Sequence, residues 1–529
     1  MATFKLDGKS IPFAPGDTVI KAAWRQGIEI PHYCWHPGLS APANCRMCLI
    51  EIAPKPGARP MMLDILEWDA KAGTYVPVQK PKLQPACYTP AAEGMEVISD
   101  TSEHVRKARH DVQEFLLLNH PVDCPICDQA GECKLQDYWL EHGRYKKRMH
   151  DEPVHKPKGV VFGPTIVYDA ERCVMCTRCV RFMAEVAKDP VLDMRERGNL
   201  NEIVVSPGRE LDGHYTFMTE HVCPVGALTT KDFRFKARVW FLRTASTVCQ
   251  GCATGCNAHL DYDPRTNKAY RYRPRDNEKV NAFWMCDEGM LTYKEAHEGR
   301  EPRAKIQGAE TTLAKALEHV RTLVDGVPAE AIALVLSAAH SLEDNWALRE
   351  VGAVLLGAKS LFATGKPEGY EDAILIHRDK NPNSRGVAQL APNARPIQAL
   401  LDEVAAGRIT HVLALGGAAA VNVEGLRGAK VITIAAHGGP LTSVATVVLP
   451  ATTWAEQSGT YVNAKGLRQV GDKALEPEGD AQPAWKHLAA IATALDHEVS
   501  WKKLKQIRAQ LAPASAASEK ATPAPVPAE

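Results

Sequence analysis

The sequence predicts a multidomain chain, α+β in its N-terminal half and α/β in its C-terminal half. Three observations support this fold class. At 529 residues the chain is too long for one hydrophobic core. All 15 cysteines lie between Cys34 and Cys286, in four spaced groups. Beyond Cys286, short apolar runs alternate with helical stretches, which is typical of a doubly wound α/β domain.

Composition and charge exclude several classes of function. Lys plus Arg and Asp plus Glu both number 63, so the formal net charge is zero, and a nucleic-acid partner, which needs a basic face, is not expected. The longest apolar runs are far shorter than the stretch that spans a bilayer, and the first residues lack the pattern of a secretory or transit segment. We therefore expect no transmembrane segment and no signal peptide. In the reducing compartment that this predicts, clustered cysteines act more often as metal ligands than as disulfides.

Residues 1–90 predict a β-grasp ferredoxin-type module. Two short strands, Thr3–Leu6 and residues 10–13, flank the turn pair Asp7-Gly8. A helix over residues 18–26 is expected next, with Asp17 as its N-cap. The loop that follows carries C-x10-C-x2-C and a distant fourth cysteine, a variant of the plant-type [2Fe–2S] spacing, with zinc as the alternative. The predicted ligands of this group 1 are Cys34, Cys45, Cys48 and Cys87.

Residues 91–150 predict a compact module with a mixed ligand set. A helix over residues 103–118 is expected, with Val105, Phe115 and Leu118 among its apolar positions. Prolines at positions 121 and 125 end the helix and expose the ligand loop. Only three cysteines follow, so the nearby histidine is predicted to complete a [4Fe–4S] set, and a neutral imidazole in place of a thiolate should raise the cluster potential. The predicted ligands of group 2 are His120, Cys124, Cys127 and Cys133.

Residues 151–240 carry the bacterial ferredoxin pattern for [4Fe–4S], C-x2-C-x2-C with a later Cys-Pro. Bacterial ferredoxins normally hold two such sets. Residues 214–222 contain no cysteine, so one cluster of the pair is predicted to be missing. Three arginines, at positions 172, 178 and 181, flank the triple, and two interpretations stay open: they offset the charge of a cluster, or they are solvated. The predicted ligands of group 3 are Cys173, Cys176, Cys179 and Cys223.

Residues 241–300 carry a fourth group with the spacing C-x2-C-x3-C-x29-C. This spacing is weaker by itself, because zinc ribbons can look similar. The predicted ligands of group 4 are Cys249, Cys252, Cys256 and Cys286.

The C-terminal part predicts alternating strands and helices. A helix over residues 342–356 is expected after the cap Ser341. Gly416-Gly417 is a faint phosphate-loop signal, and no G-x-G-x-x-G fingerprint is present, so NADH should bind elsewhere. The composition of residues 512–529 predicts a disordered tail. The predicted strands are residues 331–336, 373–376, 411–415, 431–434 and 446–449.

The order of these sites resembles the large iron–sulfur subunit of respiratory complex I, known as the G subunit of bacterial NADH-quinone oxidoreductases. The stretches that carry the resemblance are residues 172–181, RCVMCTRCVR, and residues 223–228, CPVGAL. Residues 379–383, DKNPN, and residues 459–466, GTYVNAKG, are similar to a molybdopterin oxidoreductase domain. The resemblance covers about residues 1–505 and is strongest before residue 290.

The resemblance implies an electron-transfer subunit without catalytic residues of its own. It implies one [2Fe–2S] cluster on group 1 and [4Fe–4S] clusters on groups 2, 3 and 4. Electrons would come from the flavin subunit that oxidises NADH and leave toward quinone, coupled to proton translocation by the whole complex. The implied partners are that flavin subunit, a 2Fe–2S subunit, a ferredoxin-like subunit and, indirectly, the membrane arm. The implied location is peripheral, on the cytoplasmic side of the bacterial inner membrane.

The predicted domains follow the ligand groups, and two alternative functions are less well supported. No cysteine follows Cys286, so the α/β domain is expected to hold no molybdopterin, although Ser or Asp can also ligate molybdenum. A molybdenum or electron-transfer subunit of an NAD-linked formate dehydrogenase or hydrogenase would need cysteines that are missing here, and a zinc scaffold is the non-redox alternative. The predicted domains are 1–90, 91–150, 151–240, 241–300, 301–511 and the tail 512–529.

Overall fold

The computed structural model describes residues 2–54, 61–146, 148–198, 200–417 and 422–511. The predicted tail, 512–529, therefore lies outside the described residues. The chain divides into two compact units, with the division after Val239. Within the described ranges, no helix combines the length and the apolar character needed to cross a membrane.

The first unit, up to Val239, contains twelve short strands and five helices among its described residues. Its strands are β1 Thr3–Leu6, β2 Lys9–Pro12, β3 Leu49–Ile52, β4 Met62–Asp69, β5 Thr74–Pro81, β6 Gln84–Pro85, β7 Glu96–Ile98, β8 Val160–Val161, β9 Ile166–Tyr168, β10 Leu192–Arg195, β11 Glu202–Val205 and β12 Leu228–Thr230. Its helices are α1 Val19–Arg25, α2 Glu103–Leu117, α3 Lys134–His142, α4 Arg178–Glu185 and α5 Phe217–His221.

The N-terminal sheet has the strand order β2-β1-β7-β3-β6, and α1 packs on it. Strands β1 and β2 pair antiparallel as predicted, and Asp7 and Gly8 both adopt positive φ in the turn between them. The cap prediction for α1 was wrong, because Thr18 is the N-cap residue. Asp17 instead accepts a hydrogen bond from the Ala14 amide and pairs with Arg25 at 2.5 Å. A carboxylate this well satisfied by other donors does not need the helix amides.

Helix α2 matches the predicted span, with Ser102 as a true side-chain cap that accepts from the Val105 amide. Phe115 was predicted among the apolar positions of this helix, yet its side chain is 73% exposed. Val105 is buried as predicted, and the other buried residues of α2 are Arg109 and Gln113, both polar. Polar side chains can occupy a buried face when their hydrogen bonds are satisfied, as Gln113 shows below.

The second unit, from Trp240, carries the remaining elements. Its strands are β13 Arg243–Val248, β14 Asn257–Asp263, β15 Lys268–Pro274, β16 Ala304–Ile306, β17 Ala309–Thr311, β18 Ile332–Ser337, β19 Ser360–Thr364, β20 Arg395–Pro396, β21 His411–Leu415, β22 Lys430–Ala435, β23 Val447–Pro450, β24 Gly459–Val462 and β25 Arg468–Gly471. Its helices are α6 Asp287–Leu291, α7 Leu313–Val324, α8 Leu342–Arg349, α9 Ser384–Leu390, α10 Ile397–Ala405, α11 Pro440–Val444, α12 Ala484–Ala494 and α13 Leu504–Leu511.

The main sheet of the second unit has the order β17-β16-β23-β22-β21-β18-β19-β20, and the strands from β23 to β20 are parallel. Two separate hydrophobic cores cover its faces, because side chains alternate along each buried strand: Leu334 and Leu336 of β18 join one core, Ala333 and Val335 the other. The doubly wound domain is therefore confirmed, with helices on both faces.

One local prediction in this unit was wrong, and another was confirmed with a change of helix type. The apolar run at residues 373–376 forms no strand; it lies in a loop whose Leu375 and Ile376 face group 4. The helix predicted for residues 342–356 ends at Arg349 and continues as a π-helix over Glu350–Leu355. The cap was correct, since the Ser341 hydroxyl accepts from the Asp344 amide.

Candidate metal centres

The four thiols of group 1 contact one another within the β-grasp module. Cys34, Cys48 and Cys87 are buried, and Cys45 is half-buried. Hydrogen bonds from Cys45 and then from Cys87 lower the pKa of the Cys34 thiol, and a hydrogen bond from Cys87 lowers the pKa of Cys48. The loop that carries them bends through positive φ at Ala43 and Arg46. This brings the first three ligands back against Cys87, which follows β6, so the structure gathers the predicted set.

Group 2 lines a cavity of about 810 Å³ between the end of α2 and the start of α3. All four predicted ligands, His120, Cys124, Cys127 and Cys133, face this cavity. Burial, followed by the nearby Arg172 guanidinium, lowers the pKa of His120 to about 4, so its imidazole is neutral at pH 7. A neutral imidazole is the form that binds a metal. Cys124 is exposed, which makes group 2 the most open of the four.

A glycine from the ferredoxin-like module completes the wall of the group 2 cavity. A Cβ atom built on Gly226 would lie 2.2 Å from the Cys127 sulfur, far inside van der Waals contact. Any side chain at this position would displace the ligand. Gly226 stands in the segment CPVGAL that begins with Cys223, and its contact with group 2 could not be read from ligand spacing.

Group 3 surrounds a small, closed cavity between α4 and β12. Its four thiols line the cavity together with Tyr168, Ile203 and other apolar side chains. Burial raises the pKa of Cys173 and Cys176 to about 11 and the pKa of Cys223 to about 12. Cys176 and Cys179 are buried, and Cys173 and Cys223 are half-buried. Such thiols stay protonated by themselves, and a bound metal would be needed to hold them as thiolates. The loop places Met175 and Thr177 at positive φ, and the Met175 amide points at the Cys173 sulfur at 3.4 Å.

Group 4 lies beside the α/β domain, in a cavity of about 190 Å³. Its four cysteines are all buried, and burial raises the pKa of Cys249 to about 12. Two amides point at sulfurs, Gly251 toward Cys249 at 3.4 Å and Gly289 toward Cys286 at 3.3 Å. Amide donors of this kind stabilise a thiolate and tune a metal site. Lys380 and Tyr370 form the far wall of the cavity.

Three buried side chains, Arg172, Tyr33 and Gln113, connect the ligand groups of the first unit. Arg172 is 7% exposed and pairs with Asp123 at 2.9 Å, and its charge acts on both His120 and Cys127. Tyr33, fully buried, donates to Gln113 Oε1 at 2.6 Å, while Gln113 donates to the Leu135 carbonyl at 3.1 Å.

These side chains tie the group 1 loop to the group 2 module. Tyr33 directly precedes Cys34 of group 1, and its partner Gln113 donates to the carbonyl of Leu135, two residues after Cys133 of group 2, so Tyr33 links the two groups. Sequence reasoning missed Tyr33, whose only signal is its position directly before Cys34.

Within the described residues, no set of three or more His, Cys, Asp or Glu side chains converges on one point as a single metal ion requires. The four ligands of a [4Fe–4S] cluster each bind a different iron, and those of a [2Fe–2S] cluster bind its two irons in pairs. The ligands of a cluster therefore surround a volume and do not converge on one point.

Four family models match the chain in consecutive blocks. Residues 1–102 match a 2Fe-2S iron-sulfur cluster binding domain, and residues 109–148 match the NADH-ubiquinone oxidoreductase-G iron-sulfur binding region. Residues 163–229 match the ferredoxin-like domain of NADH-quinone oxidoreductase subunit 3, and residues 337–494 match molybdopterin oxidoreductase. These matches confirm the predicted fold class and the presence of 2Fe–2S and 4Fe–4S binding domains.

Several curated relatives are named as the G subunit of NADH-quinone oxidoreductase. The protein of Rickettsia felis is 27% identical over 97% of this chain and 90% of its own length. Those of Mycobacterium tuberculosis and Rickettsia bellii are 31% and 36% identical, over 70% and 55% of this chain. The chain spans only 44% of the mycobacterial protein and 39% of that from Rickettsia bellii.

A solved NAD+-reducing [NiFe]-hydrogenase in the H2-reduced state is 28% identical over 45% of this chain and 91% of that chain, with a TM-score of 0.35. A TM-score of this size does not establish a common fold.

Proposed function

The chain belongs to the family of NADH-quinone oxidoreductase G subunits, and from this premise we propose that it relays electrons, through bound iron–sulfur clusters, from a flavin subunit that oxidises NADH toward quinone. The observation that carries the proposal is the arrangement of the first unit. Three ligand groups sit in one compact unit, and shared side chains connect them.

We assign sixteen ligands to four clusters. A [2Fe–2S] cluster is proposed on group 1 because its four thiols are in mutual contact. A [4Fe–4S] cluster is proposed on each other group, because the four ligands of each line one cavity. The full ligand set is Cys34, Cys45, Cys48, Cys87, His120, Cys124, Cys127, Cys133, Cys173, Cys176, Cys179, Cys223, Cys249, Cys252, Cys256 and Cys286.

Iron–sulfur clusters supply one-electron carriers whose potentials depend on ligand type, hydrogen bonds to sulfur and burial. The chain controls each of these. His120 replaces one thiolate by a neutral ligand in group 2. Amides of Met175, Gly251 and Gly289 point at ligand sulfurs in groups 3 and 4. Buried side chains around groups 1 and 3 exclude water and lower the local dielectric constant. The charge of a cluster there would interact more strongly with neighbouring charged residues.

The partners proposed for the chain follow from its family. They are the flavin subunit, a 2Fe–2S subunit and a ferredoxin-like subunit of the same complex, with the membrane arm reached through them. The opening of group 2 is the docking surface proposed for one of these subunits, because the exposed apolar side chains of Val122 and Leu140 line it. The proposed location is peripheral, on the cytoplasmic side of the bacterial inner membrane.

Metal analysis tests the proposal. The assigned clusters require 2 + 4 + 4 + 4, or about 14, irons per chain and a matching amount of acid-labile sulfide. The full-length chain should be purified without oxygen and analysed for iron, sulfide and zinc, with spin-resonance spectra of the reduced protein. Two or more zincs per chain, without reducible spin signals, would replace the electron-transfer proposal by the zinc scaffold.

The expectation that the α/β domain holds no molybdopterin stays a prediction. The match to molybdopterin oxidoreductase covers residues 337–494, and this segment contains no cysteine that could ligate molybdenum. Molybdenum analysis of the same sample checks it: stoichiometric metal would favour the formate dehydrogenase alternative.

A further inference from the structure

Helix α4 carries two arginines that contact the ligand loops of both group 1 and group 3. Arg181 donates from Nη2 to the Cys34 carbonyl at 2.5 Å and to the Cys176 carbonyl at 3.4 Å. Its Nη1 donates to the Ser40 carbonyl. One guanidinium therefore binds the backbone of a group 1 ligand and the backbone of a group 3 ligand at the same time.

Arg178, one turn earlier on α4, repeats this arrangement. Its Nη2 donates to the carbonyl of Trp35, directly after Cys34, and its Nη1 donates at 3.3 Å to the carbonyl of Val222, directly before Cys223. Glu185, one turn after Arg181, accepts from the Ser40 amide at 2.9 Å and from its hydroxyl. Three residues on one face of α4 thus hold the group 1 loop against the group 3 site.

The charges of these arginines are not neutralised in the way that the charge of Arg172 is. Arg172 pairs with Asp123 and with Asp169. Across the described ranges, neither Arg178 nor Arg181 forms an ion pair with a carboxylate. Arg178 is nevertheless only 9% exposed. A buried guanidinium that contacts only carbonyls requires a countercharge nearby, since burial of an unpaired charge is unfavourable.

Clusters bound to the two groups would supply that countercharge. Arg181 lies close enough to Cys176, Cys34 and Glu185 to interact with their charged forms, and Arg178 and Arg181 both lie close to Cys176. Four thiolates around an iron–sulfur core leave a net negative charge on the cluster, and the net charge around a cluster contributes to its potential. A cation shared by two clusters favours the reduced form of each.

We propose that Arg181, assisted by Arg178, is the positioning residue that joins group 1 to group 3, fixing their ligand loops together and raising the reduction potentials of both clusters. This inference rests on the proposed function, since it requires clusters on both groups. Arg181 is not a ligand, yet on this proposal its side chain raises the reduction potentials of the group 1 and group 3 clusters together.

The test is a spin-resonance redox titration of the full-length chain, purified anaerobically, with Arg181→Gln as the main variant. Gln keeps a hydrogen-bond donor but removes the charge. We expect the equilibrium constant for reduction to fall about tenfold for the [2Fe–2S] signal and for the group 3 signal, which corresponds to about 59 mV for a one-electron couple. The group 3 signal is identified as the one that Cys176→Ser abolishes.

The control is Arg209→Gln. Arg209 belongs to the same unit, is 46% exposed and pairs with Asp189 at 2.6 Å, so its loss should leave both potentials unchanged. If Arg181→Gln shifts neither potential, or shifts only one, the joint role is wrong. A merely structural role would lower the occupancy of the clusters without moving the potentials of those that remain.

A second variant keeps the proposal testable if Arg181→Gln loses its clusters. Glu185→Gln removes a negative charge near Arg181 and still offers an acceptor to Ser40. The equilibrium constants for reduction of the [2Fe–2S] cluster and of the group 3 cluster should then both rise by about twofold or more. Unchanged constants would overturn the proposal. Failure of the proposed function is a separate result: the unmodified chain would show no spin signals from groups 1 and 3.

Discussion

Groups 1 to 3 and group 4 are held in different ways. In the first unit, side chains connect one ligand group to another: Arg181 binds carbonyls of groups 1 and 3, and Tyr33 connects group 1 to the group 2 module through Gln113. In the second unit, the loop of group 4 is bonded to the α/β domain. The Ala253 amide donates to the Asp379 carbonyl at 2.9 Å, and the Ala464 amide donates to the Ala253 carbonyl at 2.7 Å.

The side-chain contacts of the group 4 loop follow the same pattern. Thr254 donates to the Leu375 carbonyl, and Gln469 donates to the Gly255 carbonyl at 2.8 Å. A site whose ligands are linked to those of other sites is suited to pass charge between them. A site whose loop is bonded to a scaffold domain is suited to stabilise that domain. We infer that the first unit conducts and that group 4 is mainly structural.

The largest expected effect is a loss of iron when the histidine ligand of group 2 is substituted. His120→Ala removes a ligand from the most open site, so about four irons per chain should be lost. His120→Cys should retain the iron and lower the cluster potential, because a thiolate adds a negative charge. Iron analysis and a redox titration check both outcomes. His155→Ala is the matched control, since His155 is 80% exposed and lies on the surface beside Glu171. Unchanged iron in His120→Ala would show that His120 is not a ligand.

Breaking the scaffold should release group 4 and leave groups 1 to 3 intact. Arg300 and Glu456 are 6% and 2% exposed and pair at 2.8 Å, so Arg300→Met leaves a buried carboxylate unpaired. We expect the free energy of unfolding of the second unit to fall by about 3–5 kcal/mol. Arg303→Met, which removes the exposed pair with Asp480, should cost less than about 1 kcal/mol. Chemical unfolding curves followed by spin signals measure both; equal loss of all clusters would contradict the separation of the units.

A buried histidine of the second unit should make the stability of that unit depend on pH. His487 donates to the Pro450 carbonyl at 2.7 Å, and burial lowers its pKa to about 4. The unfolded imidazole has a pKa near 6.5, so its contribution to stability is complete above pH 6.5 and is lost as pH falls toward 4. Between these two pH values the free energy of unfolding should fall by on the order of 3 kcal/mol.

His487→Gln keeps a donor for Pro450 and should flatten this part of the pH profile. Stability measured between pH 4 and 7 checks it. A variant with the same slope as the unmodified chain would assign the effect to another group.

The smallest expected effect concerns the anchoring of the group 4 loop. Thr254→Val removes the hydroxyl that donates to Leu375 and should cost about 1 kcal/mol. Amide hydrogen exchange should rise in residues 249–256 and stay unchanged in the loops of groups 1 to 3. Thr322→Val is the control, because that exposed hydroxyl donates to the Glu318 carbonyl of its own helix, away from group 4. Faster exchange in all four loops would mean that the units are not independent.

Much of this organisation could be predicted from the sequence. The spacing of cysteines assigned every residue to a group that the structure brings together, because most ligands of each site lie within one loop. The strands of the parallel sheet were predicted at 411–415 and 431–434, because a strand buried on both faces reads as a continuous apolar run.

The remaining features depend on contacts distant in the chain. The apolar run at 373–376 looks like a strand, yet its side chains face group 4. The sequence left open whether Arg178 and Arg181 offset a charge or are solvated. Arg178 is buried and Arg181 is half-buried, and their hydrogen bonds to the carbonyls of Trp35 and Cys34, more than 140 positions away, favour the first interpretation. Gly226 and Tyr33 acquire their roles only when separate modules pack together.

The most direct test of the division between conducting and structural groups compares two ligand substitutions in the assembled complex. Cys176→Ser alters group 3, and Cys286→Ser alters group 4; each complex is purified, its subunit content verified, and its rate of electron transfer from NADH to quinone measured. We predict that Cys176→Ser stops transfer even where the complex assembles. Cys286→Ser should lower the yield of complex, while the complexes that form transfer electrons at near-normal rates. If assembled Cys286→Ser complexes are as inactive as those with Cys176→Ser, group 4 belongs to the conducting path and the division is wrong.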